Sequence, residues 1–80
     1  MYKIVFTKTS EKQLKKIPKK VQLTILKKIE ALADNPSPEG VKALKGKLAS
    51  YCRVRCGDYR IIYSIENNRF VVLIVKIGHR

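Results

Sequence analysis

The stretch that decides the fold runs from residue 51 to residue 77, YCRVRCGDYRIIYSIENNRFVVLIVKI. It is rich in β-branched and aromatic residues, and two turn-forming pairs, Gly57-Asp58 and Asn67-Asn68, interrupt it. Glycine and asparagine tolerate the positive φ that a two-residue hairpin turn requires. We therefore predict a meander of three antiparallel strands, over about 50–56, 59–66 and 69–77.

The last strand of this meander contains a continuous apolar run, FVVLIV at 70–75. Strands that are buried on one face only usually alternate apolar and polar residues. An unbroken apolar run instead predicts a central strand that is covered on both faces.

The N-terminal part of the chain predicts a strand followed by a helix. Residues 2–6, YKIVF, are rich in β-forming residues and predict a short first strand. A first helix is expected to end near Ile17, and its N-cap candidates are Thr7, Thr9 and Ser10. Ser10 followed by Gln13 also fits a capping box.

A second helix is predicted over about 19–33, after Pro18. Apolar residues recur there at helical spacing, which is typical of a core-facing stripe formed by Val21, Ile25, Ile29 and Leu32. Residues 34–40, DNPSPEG, are typical of a loop. The stretch 41–48 is ambiguous, since its apolar residues could anchor one turn of helix that Gly46 limits.

The predicted elements follow one another in the order β-α-α-β-β-β. This order predicts an α+β fold in which a helical pair packs on one face of an antiparallel sheet. Because the chain has 80 residues, we expect a single domain over 1–80.

The chain is strongly basic, with 18 Lys and Arg against 6 Asp and Glu and a formal charge of +12. Such a surplus favours polyanionic partners, which are nucleic acid, an acidic protein or an anionic membrane. Residues 1–47 contain twelve Lys and no Arg, whereas every Arg lies in 48–80. Lysine suits general attraction, whereas the planar guanidinium of arginine suits a phosphate. A basic surface that serves solubility alone is the alternative, chiefly for the lysine-rich half.

The sequence lacks the signals that are typical of several other classes of protein. No uncharged apolar stretch of 18 residues is present and the N-terminus lacks a signal-peptide core, so we expect a cytoplasmic protein without a membrane partner. Cys52 and Cys56 are predicted core residues, since about 13 Å of strand separates them and excludes a disulfide. With one histidine they are too few for a zinc site, and neither metal nor cofactor is expected. Phosphate-loop, paired-carboxylate and Ser/His/Asp signatures are also missing.

Arginines are concentrated around the first hairpin turn. A two-residue turn at 57–58 places Arg55 opposite Arg60, with Arg53 and Tyr51 on the same face of the sheet. Directly opposed like charges destabilise a sheet, so folding alone gives no reason for this arrangement. The set is therefore a candidate functional site, and the alternative is the solvated face of a small sheet.

The last residues of the chain lie near that set only if they share its face of the sheet. Simple alternation places Arg80 and Lys76 on the face opposite Arg60, and Arg80 joins the cluster only if the chain turns after Gly78. His79 is the single histidine. It is either an ordinary surface residue or, beside the arginines, a group suited to proton transfer.

The segment from Tyr51 to Tyr63, YCRVRCGDYRIIY, followed by an apolar strand that ends Ile77-Gly-His-Arg80, resembles the RelE/ParE superfamily of type II toxins. The resemblance covers essentially the whole chain, including Leu44-Lys-Gly46. It implies an antiparallel sheet backed by two helices and a cognate antitoxin. The RelE branch cleaves mRNA in the ribosomal A site without metal or cofactor, and the ParE branch inhibits DNA gyrase. The compact length and dense arginines favour the RelE branch.

The resemblance also implies roles for individual residues. Arg53 and Arg55 match a basic pair that contacts RNA and helps to deprotonate the attacking hydroxyl. Arg60 matches the arginine that holds the scissile phosphate, and Arg80 the one that protonates the leaving oxygen. His79 stands where the family often has a basic residue, which completes the catalytic set. The remaining predicted RNA-binding residues are Tyr51, Lys45, Lys47 and Lys76.

One family feature has no counterpart in this sequence. RelE-type enzymes usually continue past the matching arginine to a tyrosine that orients the substrate, and no tyrosine follows Arg80. Either this is a shortened form or a variant with reduced activity, or another group takes the place of that tyrosine.

Three functions remain open on the sequence. The leading hypothesis is a ribosome-dependent mRNA endonuclease whose partners are the ribosome, mRNA and an antitoxin with an acidic, amphipathic segment. The second is a gyrase-binding toxin without nuclease chemistry. The third is a basic RNA-binding protein without catalysis, which would need no antitoxin.

Overall fold

The computed structural model describes residues 1–36, 42–43, 51–66 and 69–79. Within them the chain forms, in order, β1 (Lys3–Phe6), α1 (Lys8–Lys15), α2 (Lys19–Asp34), β2 (Lys42–Ala43), β3 (Tyr51–Cys56), β4 (Tyr59–Glu66) and β5 (Val71–His79). The predicted order is confirmed with one short strand added. That strand, β2, lies in the ambiguous stretch 41–48, for which one turn of helix was considered. It pairs with β3 at Cys52 and Arg53.

The predicted meander is confirmed. β3 pairs antiparallel with β4, and β4 pairs antiparallel with β5. The first turn has two residues, and Gly57 adopts the positive φ of 60° that its lack of a side chain permits. The predicted second turn, Asn67-Asn68, lies outside the described residues.

The sheet is mixed, whereas the sequence predicted an antiparallel one. Its strand order is β1-β5-β4-β3-β2, and β1 runs parallel to β5 from the pair Lys3–Val71 to the pair Phe6–Ile74. The helical pair, not a hairpin, follows β1 in the chain, so no tight turn imposes an antiparallel direction on this strand. β4 occupies the middle of the five strands, a position that was expected for the 70–75 run.

Both helices lie on one face of the sheet, as predicted. The apolar stripe of α2 supplies three buried residues, Ile25, Ile29 and Leu32, whereas Val21 is half-buried at its edge. They pack against the sheet residues Val54, Cys56, Ile61, Tyr63, Val72, Ile74 and Ile77. Cys56 belongs to this core and Cys52 packs against it, both as free thiols, which confirms their predicted structural role.

Helix α1 begins differently from the predicted capping box. Thr7 is the N-cap, and its Oγ1 accepts a hydrogen bond from the backbone N–H of Ser10 at 3.1 Å. Ser10 is completely buried, and its hydroxyl donates to the Ile74 carbonyl at 2.8 Å. The side chain of Gln13 does not return to the cap. Its Oε1 accepts from the backbone N–H of Ile77 at 2.7 Å.

Strand β5 contains a β-bulge at Val75. Ile74 pairs with Tyr63, but Lys76 pairs with Ile62, so Val75 has no partner in β4. The extra residue reverses the side-chain alternation, which is why Val72 and Ile74 are buried before the bulge and Ile77 after it. β5 is therefore not covered on both faces as expected, since its other apolar residues are only half-buried, namely Val71, Leu73 and Val75.

The sheet face opposite the helices is called the open face below. On β3 it carries Tyr51, Arg53 and Arg55, and on β4 it carries Arg60 and Ile62. No helix in the described part of the chain is long and apolar enough to cross a bilayer.

Candidate active site

The β3–β4 hairpin brings the predicted arginines together. Arg55 lies directly opposite Arg60, and Arg53 lies opposite Ile62, one pair further from the turn. Directly opposed residues share a face, so the three guanidinium groups project from the open face as the two-residue turn predicted. Tyr51, opposite Ser64, continues the same face and is half-buried.

Lys76 joins this cluster, contrary to the expectation from simple alternation. The bulge at Val75 shifts the pairing by one residue, so Lys76 lies opposite Ile62 and Gly78 lies opposite Arg60. A regular strand would have directed Lys76 into the helix-covered core, where a charge is costly. The unbroken apolar run before Lys76 hid the change of face, because every residue in it suits either side.

The arginine charges lack nearby counterions in the described structure. Its ion pairs, Lys15 with Glu11 at 3.4 Å and Arg69 with Glu66 at 3.5 Å, do not involve the cluster. The Nε of Arg60 is shielded from solvent and has no hydrogen-bond partner among the described residues. A buried unpaired donor destabilises the free protein, and an anion that accepts from it would remove that penalty.

The geometry suits a phosphate group. Opposed side chains in an antiparallel pair have Cβ atoms about 4.5–5.5 Å apart, so Arg55 and Arg60 can reach oxygens of one phosphate. Guanidinium groups donate two parallel hydrogen bonds to such oxygens. Lys76 is exposed on β5, so the same cationic surface extends onto a third strand.

His79 lies apart from the arginines. It pairs with Tyr59 at the end of β5, on the face that the helices cover, and the two rings meet edge to face with centroids 5.1 Å apart. Arg60 belongs to the opposite face. The structure therefore gives no geometric support for proton transfer by His79 within the arginine cluster.

Three predicted site residues, Lys45, Lys47 and Arg80, lie outside the described residues. In the described segments, no group of three or more His, Cys, Asp or Glu side chains could hold a metal ion.

Sequence reasoning missed the polar residues that hold the bulge. Thr7, Ser10 and Gln13 contact the backbone of β5 from α1 and its cap. Their spacing fits helix capping equally well, so the local pattern carried no signal for a contact with residues 64 or more positions away.

Known proteins resemble this chain over its whole length. The family model described as "ParE toxin of type II toxin-antitoxin system, parDE" matches residues 4–80. Toxin RelG and toxin RelE of Mycobacterium tuberculosis are each 30% identical over 99% of this chain, which covers 91% and 81% of their own lengths. In the crystal structure of the M. tuberculosis toxin–antitoxin complex RelBE2, one chain matches with a TM-score of 0.88 and 29% identity over 99% of this chain and 98% of that chain. With these matches over an α+β fold, the chain belongs to the RelE/ParE family of type II toxin–antitoxin toxins, in its RelE-like branch.

Proposed function

We propose that this toxin is a metal-independent endoribonuclease that cleaves mRNA on the ribosome and so stops translation. The observation that carries the proposal is the open-face cluster of Arg53, Arg55 and Arg60. Its charges have no counterion among the described residues, and the Nε of Arg60 is buried without a partner. Such a cluster costs folding stability and is suited to an anionic ligand.

The proposed reaction is an internal attack within the RNA strand. The 2′-oxygen forms a bond to the adjacent phosphorus as its proton passes to solvent water, and the bond from phosphorus to the 5′-oxygen breaks. The products are a 2′,3′-cyclic phosphate and a 5′-hydroxyl that has gained a proton. Negative charge builds up on the phosphate oxygens in the transition state, and preorganised guanidinium groups stabilise it.

Each arginine has a proposed position in this reaction. Arg60 binds the scissile phosphate, since its Nε is shielded from solvent and has no partner among the described residues. Arg53 and Arg55 orient the strand around the 2′-hydroxyl. Because guanidinium groups in general hold their protons far above neutral pH, these side chains act mainly by positioning and charge stabilisation rather than by exchanging protons. Arg80 is proposed to protonate the leaving oxygen, as the family resemblance implies.

The proposed partners follow from family and charge. RelBE2 is a toxin–antitoxin complex, and we propose that this chain likewise has a cognate antitoxin. A formal charge of +12 favours an antitoxin with an acidic segment that covers the open face. Activity on ribosome-bound mRNA also implies a cytoplasmic location.

The Arg60→Ala variant tests the proposal. Cleavage of ribosome-bound mRNA is expected to fall by at least about 100-fold, the loss typical when a transition-state donor is removed. Arg69→Ala is the matched control, since Arg69 is exposed at the other end of the sheet and pairs with Glu66. Equal activity of the two variants would refute a phosphate-binding role for Arg60.

Gyrase inhibition is the second candidate function. It is favoured by the family model itself, which describes ParE toxins. A supercoiling assay with purified gyrase separates the two functions. Inhibited supercoiling with intact mRNA would establish the gyrase function, and cleaved mRNA with normal supercoiling would establish the nuclease.

A further inference from the structure

We infer that Gln13 on helix α1 is a positioning residue for the RNA-binding face, acting through the β5 bulge on Lys76. The inference rests on the proposed function, because it assigns Lys76 to the phosphate-binding cluster. It adds a residue on the opposite side of the sheet, which the hydrogen bonds of the described residues link to that cluster through the backbone of β5.

The polar groups of the bulge are bound by α1 and its cap. The Thr7 hydroxyl donates to the Val75 carbonyl at 3.1 Å, and the Ser10 hydroxyl donates to the Ile74 carbonyl at 2.8 Å. Gln13 Oε1 accepts from the Ile77 N–H at 2.7 Å. β1 ends at Phe6, opposite Ile74, and the Thr7 N–H still donates to the Ile74 carbonyl at 3.0 Å, so these side chains continue the contact with β5 from that point.

The bulge determines where the charge of Lys76 lies. Lys76, Ile62 and Arg53 lie side by side in one row across strands β5, β4 and β3. In the next row, Gly78 lies beside Arg60. A Cβ atom built on Gly78 would meet Lys76 Cε at 3.9 Å. The lysine side chain therefore extends over the glycine toward the row that contains Arg60, and its ammonium group can share a bound phosphate with that arginine.

Gln13 is the anchor best suited to an experiment. Thr7 caps α1 and Ser10 is fully buried, so replacing either would damage the helix or the core. Gln13 is half-buried and has no capping role, and the 2%-exposed Ile77 side chain still holds the strand in the core without it. Loss of its amide should therefore loosen the end of β5 without unfolding the protein.

The test uses a double-mutant cycle in RNA affinity. The probe is a short 2′-O-methyl oligoribonucleotide, which cannot be cleaved, and the variants are Gln13→Ala, Lys76→Ala and their combination. Lys76→Ala should weaken binding and reduce the dependence of log K on log salt by about 0.7, the value for one lost phosphate contact on a single strand. Gln13→Ala should weaken binding at least threefold in the parent and less than 1.5-fold in the Lys76→Ala background.

Conservative and matched variants separate positioning from general damage. Gln13→Glu retains an acceptor for the Ile77 N–H and should restore slow amide exchange at Ile77. Gln22→Ala is the matched control, since it removes a helix glutamine whose Nε2 donates to the Ile17 carbonyl at 2.7 Å rather than contacting β5. It should leave RNA affinity unchanged. Thermal unfolding of each variant establishes that it is folded.

The outcomes distinguish this inference from the proposed function. Additive losses in the cycle, or unchanged Ile77 exchange in Gln13→Ala, would overturn the positioning role even if the parent cleaves mRNA. The positioning role is supported if the losses of RNA affinity are coupled in the cycle and the Ile77 amide is protected from hydrogen exchange in the parent. This holds even if ribosome-bound mRNA stays intact. Absence of salt-dependent affinity for the oligoribonucleotide in the parent would overturn the positioning role, whereas the cleavage assay with Arg60→Ala decides the proposed function separately.

Discussion

Arg60 combines two features that each oppose folding. It lies directly opposite another arginine, and its Nε is buried without a hydrogen-bond partner in the described structure. Each feature lowers the stability of the free protein. Both penalties would shrink if a phosphate bound to the two arginines on the open face, as proposed above.

Tyr63 shows how one buried residue links stability to pH. Its hydroxyl donates to the Pro36 carbonyl at 2.6 Å, and its ring is completely buried. Burial, and secondarily the nearby Cys52, raise the pKa of the Tyr63 phenol above its usual value. The stabilisation is complete below about pH 10, where the unfolded chain also keeps the proton, and it is lost as the pH rises further.

Replacing Tyr63 by phenylalanine should separate these effects. At neutral pH we expect a loss of about 1 kcal/mol in the free energy of unfolding, because the Pro36 carbonyl loses its donor. Above pH 10 the variant should lose stability less steeply than the parent in urea unfolding. An unchanged slope would assign the alkaline sensitivity to another group.

Phe70 adopts a backbone conformation that favours glycine. Its φ is +52°, its side chain is 61% exposed, and its ring meets that of Tyr2 edge to face at 5.6 Å. Phe70→Ala and Phe70→Gly both remove the ring, but only glycine removes the strain, which costs roughly 1–2 kcal/mol. The glycine variant should be more stable than the alanine variant by about 1 kcal/mol in chemical unfolding. Equal stabilities would mean that the position carries no strain.

At the scale of elements, the requirements of stability and of the proposed function conflict in the β3–β4 hairpin. Arg55→Glu would place a carboxylate opposite Arg60 and should raise the free energy of unfolding by about 0.5 kcal/mol. The same change should weaken RNA binding and cleavage because a carboxylate repels phosphate. Arg53→Glu, opposite Ile62, is the matched control, since it should lose binding without gaining stability. A destabilised Arg55→Glu protein would argue against repulsion across the hairpin.

Strand β5 owes its arrangement to elements distant in the chain. Its residues before Val75 continue the meander, while those after it follow the shifted register that α1 supports. An inserted residue reverses which side chains reach the core and which reach the open face. Both halves of β5 therefore contribute buried residues to the core, and the half after the bulge also places the charge of Lys76 on the open face.

At the scale of the whole molecule, the positive charges of the described helices and of the arginine cluster lie on two different faces. The lysines of α1 and α2 lie on exposed positions, whereas the described arginines of the cluster lie across the sheet from them. Charges spread over an exposed face mainly accelerate encounter with a polyanion. The arginine cluster is instead proposed to act on the bound phosphate.

This division predicts separate kinetic effects. Replacing Lys27 and Lys28, both exposed on α2, by glutamine should slow association with ribosomes several-fold at about 50 mM salt. Single-turnover cleavage of bound mRNA should be unchanged. The difference in association should disappear at about 0.5 M salt, measured by stopped-flow fluorescence. A difference that persists there would show that these lysines make close contacts.

The sequence by itself determined the features that depend on local chemistry. Turn residues at 57–58 predicted the hairpin and, through its register, the opposition of Arg55 and Arg60. Helical spacing of apolar residues predicted the buried stripe of α2, and the family motifs predicted the family. These features could be predicted because turns and periodic patterns involve residues that are close in the chain.

Only the tertiary structure decided the parallel pairing of β1, the bulge at Val75 and the face on which Lys76 and His79 lie. Each depends on contacts between distant parts of the chain, such as Gln13 with Ile77, 64 residues apart. An unbroken apolar strand fits either face equally well. The choice between the faces is therefore made by long-range packing and hydrogen bonding, because local residue preferences on such a strand are nearly equal for both.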